Sequence, residues 1–265
     1  MDTMSKTALI TGATSGIGLE LAKLFAKDSY NLVIVARDGQ ELAGTAELLK
    51  QAYNIQVTPI SKDLFEATSA EELYDEVAEK GIVIDVLVND AGQGVYGLFV
   101  DTDIQRQLDI IQLNITSLVT LTHLWLKDFV VRGEGKILNL SSIASKSPGP
   151  WQAVYHGTKA FVQSFTEAIR SEVKDKGVVI TALLPGVTDT DFFNKADMTD
   201  SKAVQDKDAM ANPADVAKDG YDALMRGDDK VISGMKNKIQ VAMTNLTPDE
   251  IAADQLKKQQ EPVKK

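Results

Sequence analysis

TALITGATSGIGLELAKLF, residues 7–25, decides how the rest of the chain is read. Thr7 to Ile10 is a short apolar run that ends at Thr11-Gly12, a strand entering a turn. The turn spaces Gly12, Gly16 and Gly18 as Gly-x-x-x-Gly-x-Gly, and Leu21, Leu24 and Phe25 then recur at helical intervals. Strand, glycine turn and helix in that order make a phosphate-binding element. Glycine lets the backbone approach a pyrophosphate, and the helix start supplies free N–H groups and a positive dipole end. The spacing departs from the commonest dinucleotide fingerprint. A lone glycine cluster can be a bare turn, so the flanking strand and helix carry the reading.

Outward from that turn, Asn31 to Ala36 is a second apolar strand closed by Arg37-Asp38. Arg37 stands 19 residues past Gly18, where the ribose-reading residue of such folds falls. A carboxylate there holds the 2′-hydroxyl of NAD, and an arginine accommodates the 2′-phosphate of NADP. A helix (41–52), a strand (55–60), Lys62-Asp63-Leu64, a helix (69–80) and a strand (84–88) follow, ending in Asn89-Asp90-Ala91-Gly92. Strands alternating with helices predict a doubly wound, Rossmann-type α/β fold. It has a parallel sheet of about seven strands and three layers, with helices on both faces. Ligands of such sheets sit beyond the carboxyl ends of the strands, where the loops at Gly12, Arg37 and Asn89 gather.

Residues 101–131 read as one long helix, with Asn114 buried among aliphatics and His123 as a packing residue. A buried asparagine has to be hydrogen-bonded, as a core bridge or as part of a site. Lys136 to Leu140 is a fifth strand, followed by Ser141-Ser142 and a loop into a helix over 151–170. On that helix Tyr155 and Lys159 stand four apart, on one face and one turn from each other. A cation beside a phenol lowers a pKa that is otherwise about 10, which suits a general acid/base. Tyrosine and lysine at this spacing also occur on ordinary amphipathic helices, so the pair needs its context. Val178 to Leu184 is a sixth strand, ended by Pro185-Gly186. Residues 187–212 are polar and irregular, with Phe192, Phe193 and Met198 as apolar points, and read as a substrate lid. A helix from Pro213 and a strand at 230–233 precede a helical tail over 236–265. There Thr247-Pro248-Asp249-Glu250 spells a capping box with proline at the first helical position. Residues 1–265 are expected to form a single domain.

Composition removes several classes of function. There are no cysteines and only two histidines, so thiolate chemistry, disulfides and a Cys- or His-rich metal site are excluded; no metal is expected. A formal net charge of −10 argues against a nucleic-acid partner. No apolar run reaches the about 18 residues a membrane span needs, and the N-terminus shows no signal-peptide pattern, so the expectation is a cytoplasmic protein without a membrane partner.

Taken together, TGATSGIG (11–18), NDAG (89–92), Asn114, Ser142, YHGTK (155–159) and PGVTDT (185–190) resemble the short-chain dehydrogenase/reductase family, over roughly residues 5–235. Within it, LVIVARD and the VISG near residue 231 look most like a broad bacterial group of carbonyl reductases. Ser142 lies 13 residues before Tyr155, the interval that family keeps. The resemblance implies a catalytic tetrad: Tyr155 as acid/base, Lys159 as its tuner and ribose ligand, Ser142 on the substrate oxygen, and Asn114 holding a water behind Lys159. It implies NADP(H) as cofactor, contacted by Gly12, Thr14, Ser15, Gly16, Ile17 and Gly18 in the first turn and by Arg37, Asp63 and Leu64 beyond the next strands. Asn89, Ala91, Gly92, Tyr155, Lys159, Pro185, Gly186 and Thr190 complete the set. One departure stands out: the family usually reads Asn-Asn-Ala-Gly, and here the second position is Asp90.

The activity this implies is hydride transfer between NADP(H) and a carbonyl or alcohol. Two alternatives are an extended-type epimerase/dehydratase and a non-catalytic NADP(H)-binding regulator. The first usually spaces its glycines TGxxGxxG, and the second usually lacks the Tyr or Lys. The loops at 93–101, 143–154 and 187–212 contain no arginine but do contain Tyr96, Leu98, Phe99, Trp151, Phe192 and Phe193, which favours a neutral, apolar carbonyl substrate. Apolar residues on more than one face of two helices (Leu118, Leu121, Phe161, Phe165, Ile169) predict a homodimer or homotetramer.

Overall fold

The protein is described by a computed structural model over residues 5–206 and 210–263; residues 207–209 of the expected lid and 264–265 of the expected tail lie outside it. Seven strands, β1 (Thr7–Thr11), β2 (Asn31–Ala36), β3 (Val57–Ser61), β4 (Val86–Asn89), β5 (Gly135–Leu140), β6 (Val178–Leu184) and β7 (Lys230–Ile232), form one sheet. Every pairing is parallel, and the order is β3-β2-β1-β4-β5-β6-β7. The chain winds one way from β1 to β3 and the other way from β4 to β7, which is the doubly wound Rossmann arrangement with its switch point between β1 and β4.

The α-helices are α1 (Gly16–Lys27), α2 (Gly39–Tyr53), α3 (Ser69–Glu79), α4 (Ile104–Ile111), α5 (Leu118–Arg132), α6 (Ala153–Val173), α7 (Phe192–Lys195), α8 (Pro213–Arg226), α9 (Met235–Thr244) and α10 (Asp249–Gln260). Successive strand residues point to opposite faces, so Ala8 and Ile10 pack into one core and Leu9 into another. The first core adds Leu21, Phe25, Leu42 and Leu224 from α1, α2 and α8. The second adds Leu73, Leu121, Trp125 and Phe129 from α3 and α5. Both faces being dry explains why the strands are apolar throughout.

Three local readings change. The long helix starts at Ile104, capped by Asp103, whose carboxylate accepts the Gln105 N–H at 2.9 Å. It widens into a π-helical segment over Gln112–Ser117 before α5 resumes. Such insertions turn side chains off the regular helical stripe. The capping box of the tail does not form: the Thr247 hydroxyl donates to the Met243 carbonyl, and Pro248 stands at the N-cap, outside the helix. His123 is exposed rather than packed.

Candidate active site

The carboxyl edge of the sheet opens into one cleft of about 1420 Å³. Its floor begins at the glycine turn, where Gly12 (φ 73°) and Gly16 (φ 56°) adopt left-handed backbone. A Cβ on Gly12 would lie 3.1 Å from the Ala91 nitrogen, and one on Gly16 would lie 3.0 Å from the Thr190 methyl. Glycine there keeps open a cradle of backbone N–H groups at the start of α1. Gly12, Thr14, Ser15, Gly16 and Ile17 line the cleft, as do Arg37, Asp63 and Leu64 along its far end. Ala91, Gly92, Pro185, Gly186 and Thr190 line it on the near side of the switch point.

Gly18 has a different task. A Cβ there would fall 2.4 Å from the Gly12 carbonyl oxygen and 2.4 Å from Asp90 Oδ2, so it is a packing glycine behind the turn. Asn89 does not line the cleft either. It is buried, and its amide donates to Thr122 Oγ1 (3.0 Å) and Asn139 Oδ1 (2.9 Å). Asn139 in turn donates to Thr166 Oγ1 at 3.0 Å. Asn89 therefore ties β4 to β5 and α5 beneath the cleft, because the side chain before Asp90 points to the other face of the sheet.

At the far end, Arg37 lies over the Phe65 ring at 5.1 Å and Arg106 at 5.7 Å from the same centroid. Asp38 does not turn to the ribose position. Its carboxylate caps α2, accepting the Gln40 and Glu41 N–H groups at 2.9 Å each. The sequence held the signal for this, since Asp38 and Glu41 have capping-box spacing. Arg37 lines the cleft there, with Arg106 on the same ring bonded to Gln93 Oε1 at 3.0 Å.

The other end holds the reactive groups. Tyr155 and Lys159 rise from the first turns of α6, and Ser142 follows β5. All three line the cleft. Ser142 is fixed by accepting the Ala144 N–H at 3.1 Å. The Lys159 ammonium donates to the Leu140 carbonyl at 2.9 Å and lies 5.8 Å from the centre of the Tyr155 ring. Burial pushes the phenol up to about 12, with the neighbouring Ser142 hydroxyl pulling it down. Lys159 does not add to the shift of the phenol here, its ammonium being turned to the β5 carbonyl. Burial instead lowers Lys159 to about 8, opposed by the Asp90 charge.

Asp90 is the least expected member. Its carboxylate is wedged behind the glycine turn against Gly12 and Gly18. Burial raises it to about 7, while the Lys159 charge and the Gly18 N–H pull it down. Asn114 does not line the cleft. From the π segment it accepts the Gln93 N–H (3.1 Å) and donates to the Gln93 carbonyl (2.9 Å) and Thr158 Oγ1 (3.0 Å). Its amide clamps that backbone beside Lys159.

The roof was only partly foreseen. Tyr96 joins three separate pieces of chain. Its ring stacks on Trp151 at 5.6 Å, its N–H donates to the Ala196 carbonyl at 2.9 Å, and its hydroxyl donates to the Gln260 carbonyl. Met198 and Val204 pack below it with Phe192 and Phe193. From α9 and α10, Met235, Asn237 and Leu256 line the cleft. No sequence motif marks this tail as part of the site. Among the described residues, no cluster of His, Cys, Asp and Glu could hold a metal, and no helix is long and apolar enough to cross a membrane.

A sheet in this order, with glycine turn, serine, tyrosine and lysine on one cleft, agrees with what comparison with known proteins finds. A family profile described as short chain dehydrogenase matches residues 6–201, and the chain belongs to that family. A very-long-chain 3-oxoacyl-CoA reductase of Coprinopsis cinerea is 37% identical over 177 residues, covering 65% of this chain and 52% of that protein. Sulfoacetaldehyde reductase 2 of Chromohalobacter salexigens is 35% identical over 191 residues, covering 71% and 75%. A solved short-chain dehydrogenase from Sphingobium yanoikuyae in complex with NADPH is 27% identical, with a TM-score of 0.80, covering 91% of this chain and 94% of that one. The chain spans about half the length of the first of these relatives.

Proposed function

We propose that the protein is an NADP(H)-dependent oxidoreductase that interconverts a ketone or aldehyde with its alcohol. The observation that carries this reading is the continuity of the cleft, which joins the glycine turn and Arg37 to Ser142, Tyr155 and Lys159. The cradle closed to any Cβ at Gly12 and Gly16 fits a pyrophosphate, and Arg37 fits a 2′-phosphate. The NADPH complex of the Sphingobium relative supports the same choice. When bound, the nicotinamide supplies or accepts the hydride.

The chain's own residues then handle the proton and the charge. In reduction, the alkoxide oxygen needs one proton donor and one hydrogen-bond donor. A phenol held near 12 stays protonated at neutral pH, so Tyr155 is in its acid form and gives its proton to that oxygen. The Ser142 hydroxyl donates to the same oxygen. The Lys159 ammonium keeps positive charge beside the resulting phenolate. Asn114 acts at one remove, holding the Gln93 backbone and Thr158 around Lys159.

The substrate end is apolar, lined by Val187, Phe192, Phe193, Met198, Met210 and Leu256. Lys195, Lys202 and Lys236 also line it, the first two paired with Asp191 and Glu261, both at 3.1 Å, and Lys236 at the exposed rim. The apolar lining supports a neutral carbonyl over a small anionic one such as the sulfonated aldehyde in the name of the Chromohalobacter relative. The test is consumption of NADPH with a panel of aldehydes and ketones. Turnover with apolar ketones supports the reading. NADPH bound but never oxidised would favour a regulatory protein.

Self-association is also proposed, through a surface shifted from the one first expected. Leu118 and Leu121 are buried within the chain, whereas Ile104, Leu108 and Phe161 on α4 and α6 are exposed, with Phe99 beside them in sequence. Light scattering at micromolar concentration should give twice the chain mass or more, and a monomer would count against it.

A further inference from the structure

Where the family usually carries a second asparagine, Asp90 brings a carboxyl group to the start of α1. A Cβ would lie 2.4 Å from its Oδ2 if built on Gly18 and 2.9 Å if built on Gly12, so the carboxyl group touches both glycines with no side chain between. It accepts the Gly18 N–H, one of the first-turn donors of α1 that have no partner inside the helix. The Asp90 and Ala91 N–H groups both donate to Thr11 Oγ1 at 3.1 Å, which fixes this stretch against β1. The pyrophosphate cradle is formed by the same helix start. One helix end favours one anion there, and two anions at that end repel each other.

The groups around Asp90 do little to hold it ionised. From α6, Lys159 pulls on it, while the Lys159 ammonium donates to the Leu140 carbonyl at 2.9 Å. The first turn of α1 carries no acidic residue, and its first charged side chain, Glu20, accepts from Lys23 at 2.7 Å. The π segment contributes Asn114, a neutral amide bonded to Gln93 and Thr158. Burial thus outweighs Lys159 and the Gly18 N–H, and the carboxyl sits at about 7. Near neutral pH it is divided between its two forms, a balance that a new charge nearby shifts.

We propose that Asp90 makes cofactor binding proton-linked: its carboxylate takes up a proton from solvent when the pyrophosphate of NADP(H) arrives at the start of α1. This rests on the NADP(H) reading of the cleft. The protonated carboxyl keeps an oxygen for the Gly18 N–H and loses the charge that opposes the phosphates. Binding and protonation reinforce each other by one and the same factor. Affinity is therefore highest below pH 7 and falls as pH rises through the free-state value of Asp90. An asparagine at this position accepts the same N–H without titrating, so the linkage belongs to the aspartate.

The test is calorimetric titration of the full-length protein with NADPH, in pairs of buffers that differ in heat of ionisation, which counts the protons taken up. For a reinforcement of about tenfold, wild type should take up about 0.4 proton per NADPH at pH 7. Its Kd should rise about threefold relative to that of Asp90→Asn between pH 6 and 7.5. Asp90→Asn should lose most of the uptake. The comparison cancels the titration of the 2′-phosphate, which is common to both proteins. The wild-type proton count needs no variant, and a count of zero overturns the proposal. Uptake undiminished in a folded, NADPH-binding Asp90→Asn also overturns it and moves the proton to Lys159. Both of those results leave the oxidoreductase reading intact. A wild-type protein that binds no NADPH at any pH brings down both.

Discussion

The two ends of the cleft are built in opposite ways. The nucleotide end is assembled from short stretches that each finish a strand: the turn after β1, Arg37 after β2, Asp63 after β3, Ala91-Gly92 after β4. Each stretch is a local piece of sequence with a local physical reason, and the parallel sheet alone brings them together. The roof over the substrate end is assembled from pieces far apart in the chain. Tyr96, Trp151, Ala196 and Gln260 meet there through side-chain stacking and single hydrogen bonds. One end is set by backbone geometry, and the other by contacts that side chains can gain or lose. On the proposed function, cofactor recognition and the proton step fall to the floor and substrate choice to the roof.

That contrast can be broken most severely at the floor. Tyr155→Phe keeps the ring against Phe192, 5.1 Å away, but removes the proton donor. Turnover of the best ketone should fall roughly 10²-fold or more, with NADPH binding retained. Near-native turnover in the purified variant would mean another group supplies the proton.

A middle-sized effect is expected at Asp90, the point where the floor departs from the family pattern. Its folded-state pKa of about 7 lies above an ordinary carboxylate value. Between about pH 4 and 7 the folded chain therefore holds a proton that the unfolded chain has released, so stability falls as pH rises through that window. Lys159, at about 8, is charged in both states over that range and adds no slope of its own. Asp90→Asn removes the titrating group, and its melting temperature should gain on wild type as pH rises from 5 to 7. A margin of about 1 kcal/mol corresponds to roughly 2–4 °C for a chain of this size. Parallel curves for the two proteins would show that Asp90 does not titrate there.

The smallest effect belongs to the roof. Tyr96→Phe keeps the stack on Trp151 and deletes the hydroxyl that reaches Gln260. One hydrogen bond contributes about 1 kcal/mol, so KM for the ketone should rise a few-fold with kcat/KM falling to match and kcat nearly constant. A large fall in kcat instead would place Tyr96 in the floor's chemistry.

How much the sequence disclosed follows the same division. The strand ends were legible because apolar runs, glycines and a terminal arginine are local signals. Ser142, Tyr155 and Lys159 were legible because their intervals are fixed by one strand, one loop and one helix. Sequence order does not say which face of a strand end a side chain takes, and the Asn89 amide points under the sheet. Asn114 was found as a buried amide, but the π segment that aims it at Gln93 leaves no periodic mark. The part played by Gln260 rests on its partnership with Tyr96, 164 residues away, which no local pattern can carry.

The central claim, a floor shaped for the 2′-phosphate of NADP(H), is tested most directly at Arg37. Asp38 spends its carboxylate on capping α2, so on the proposed reading the Arg37 guanidinium is the group that meets the phosphate. A hydrogen bond to a charged group contributes about 1.5–3 kcal/mol, equivalent to about 10- to 150-fold in affinity. The measurement is kcat/KM for NADPH and for NADH with one ketone at fixed ionic strength, in wild type and in Arg37→Ala. Wild type should prefer NADPH by at least about tenfold, and Arg37→Ala should erase most of that margin while leaving NADH almost unaffected. A wild-type preference for NADH, or a margin that Arg37→Ala leaves untouched, would contradict the account.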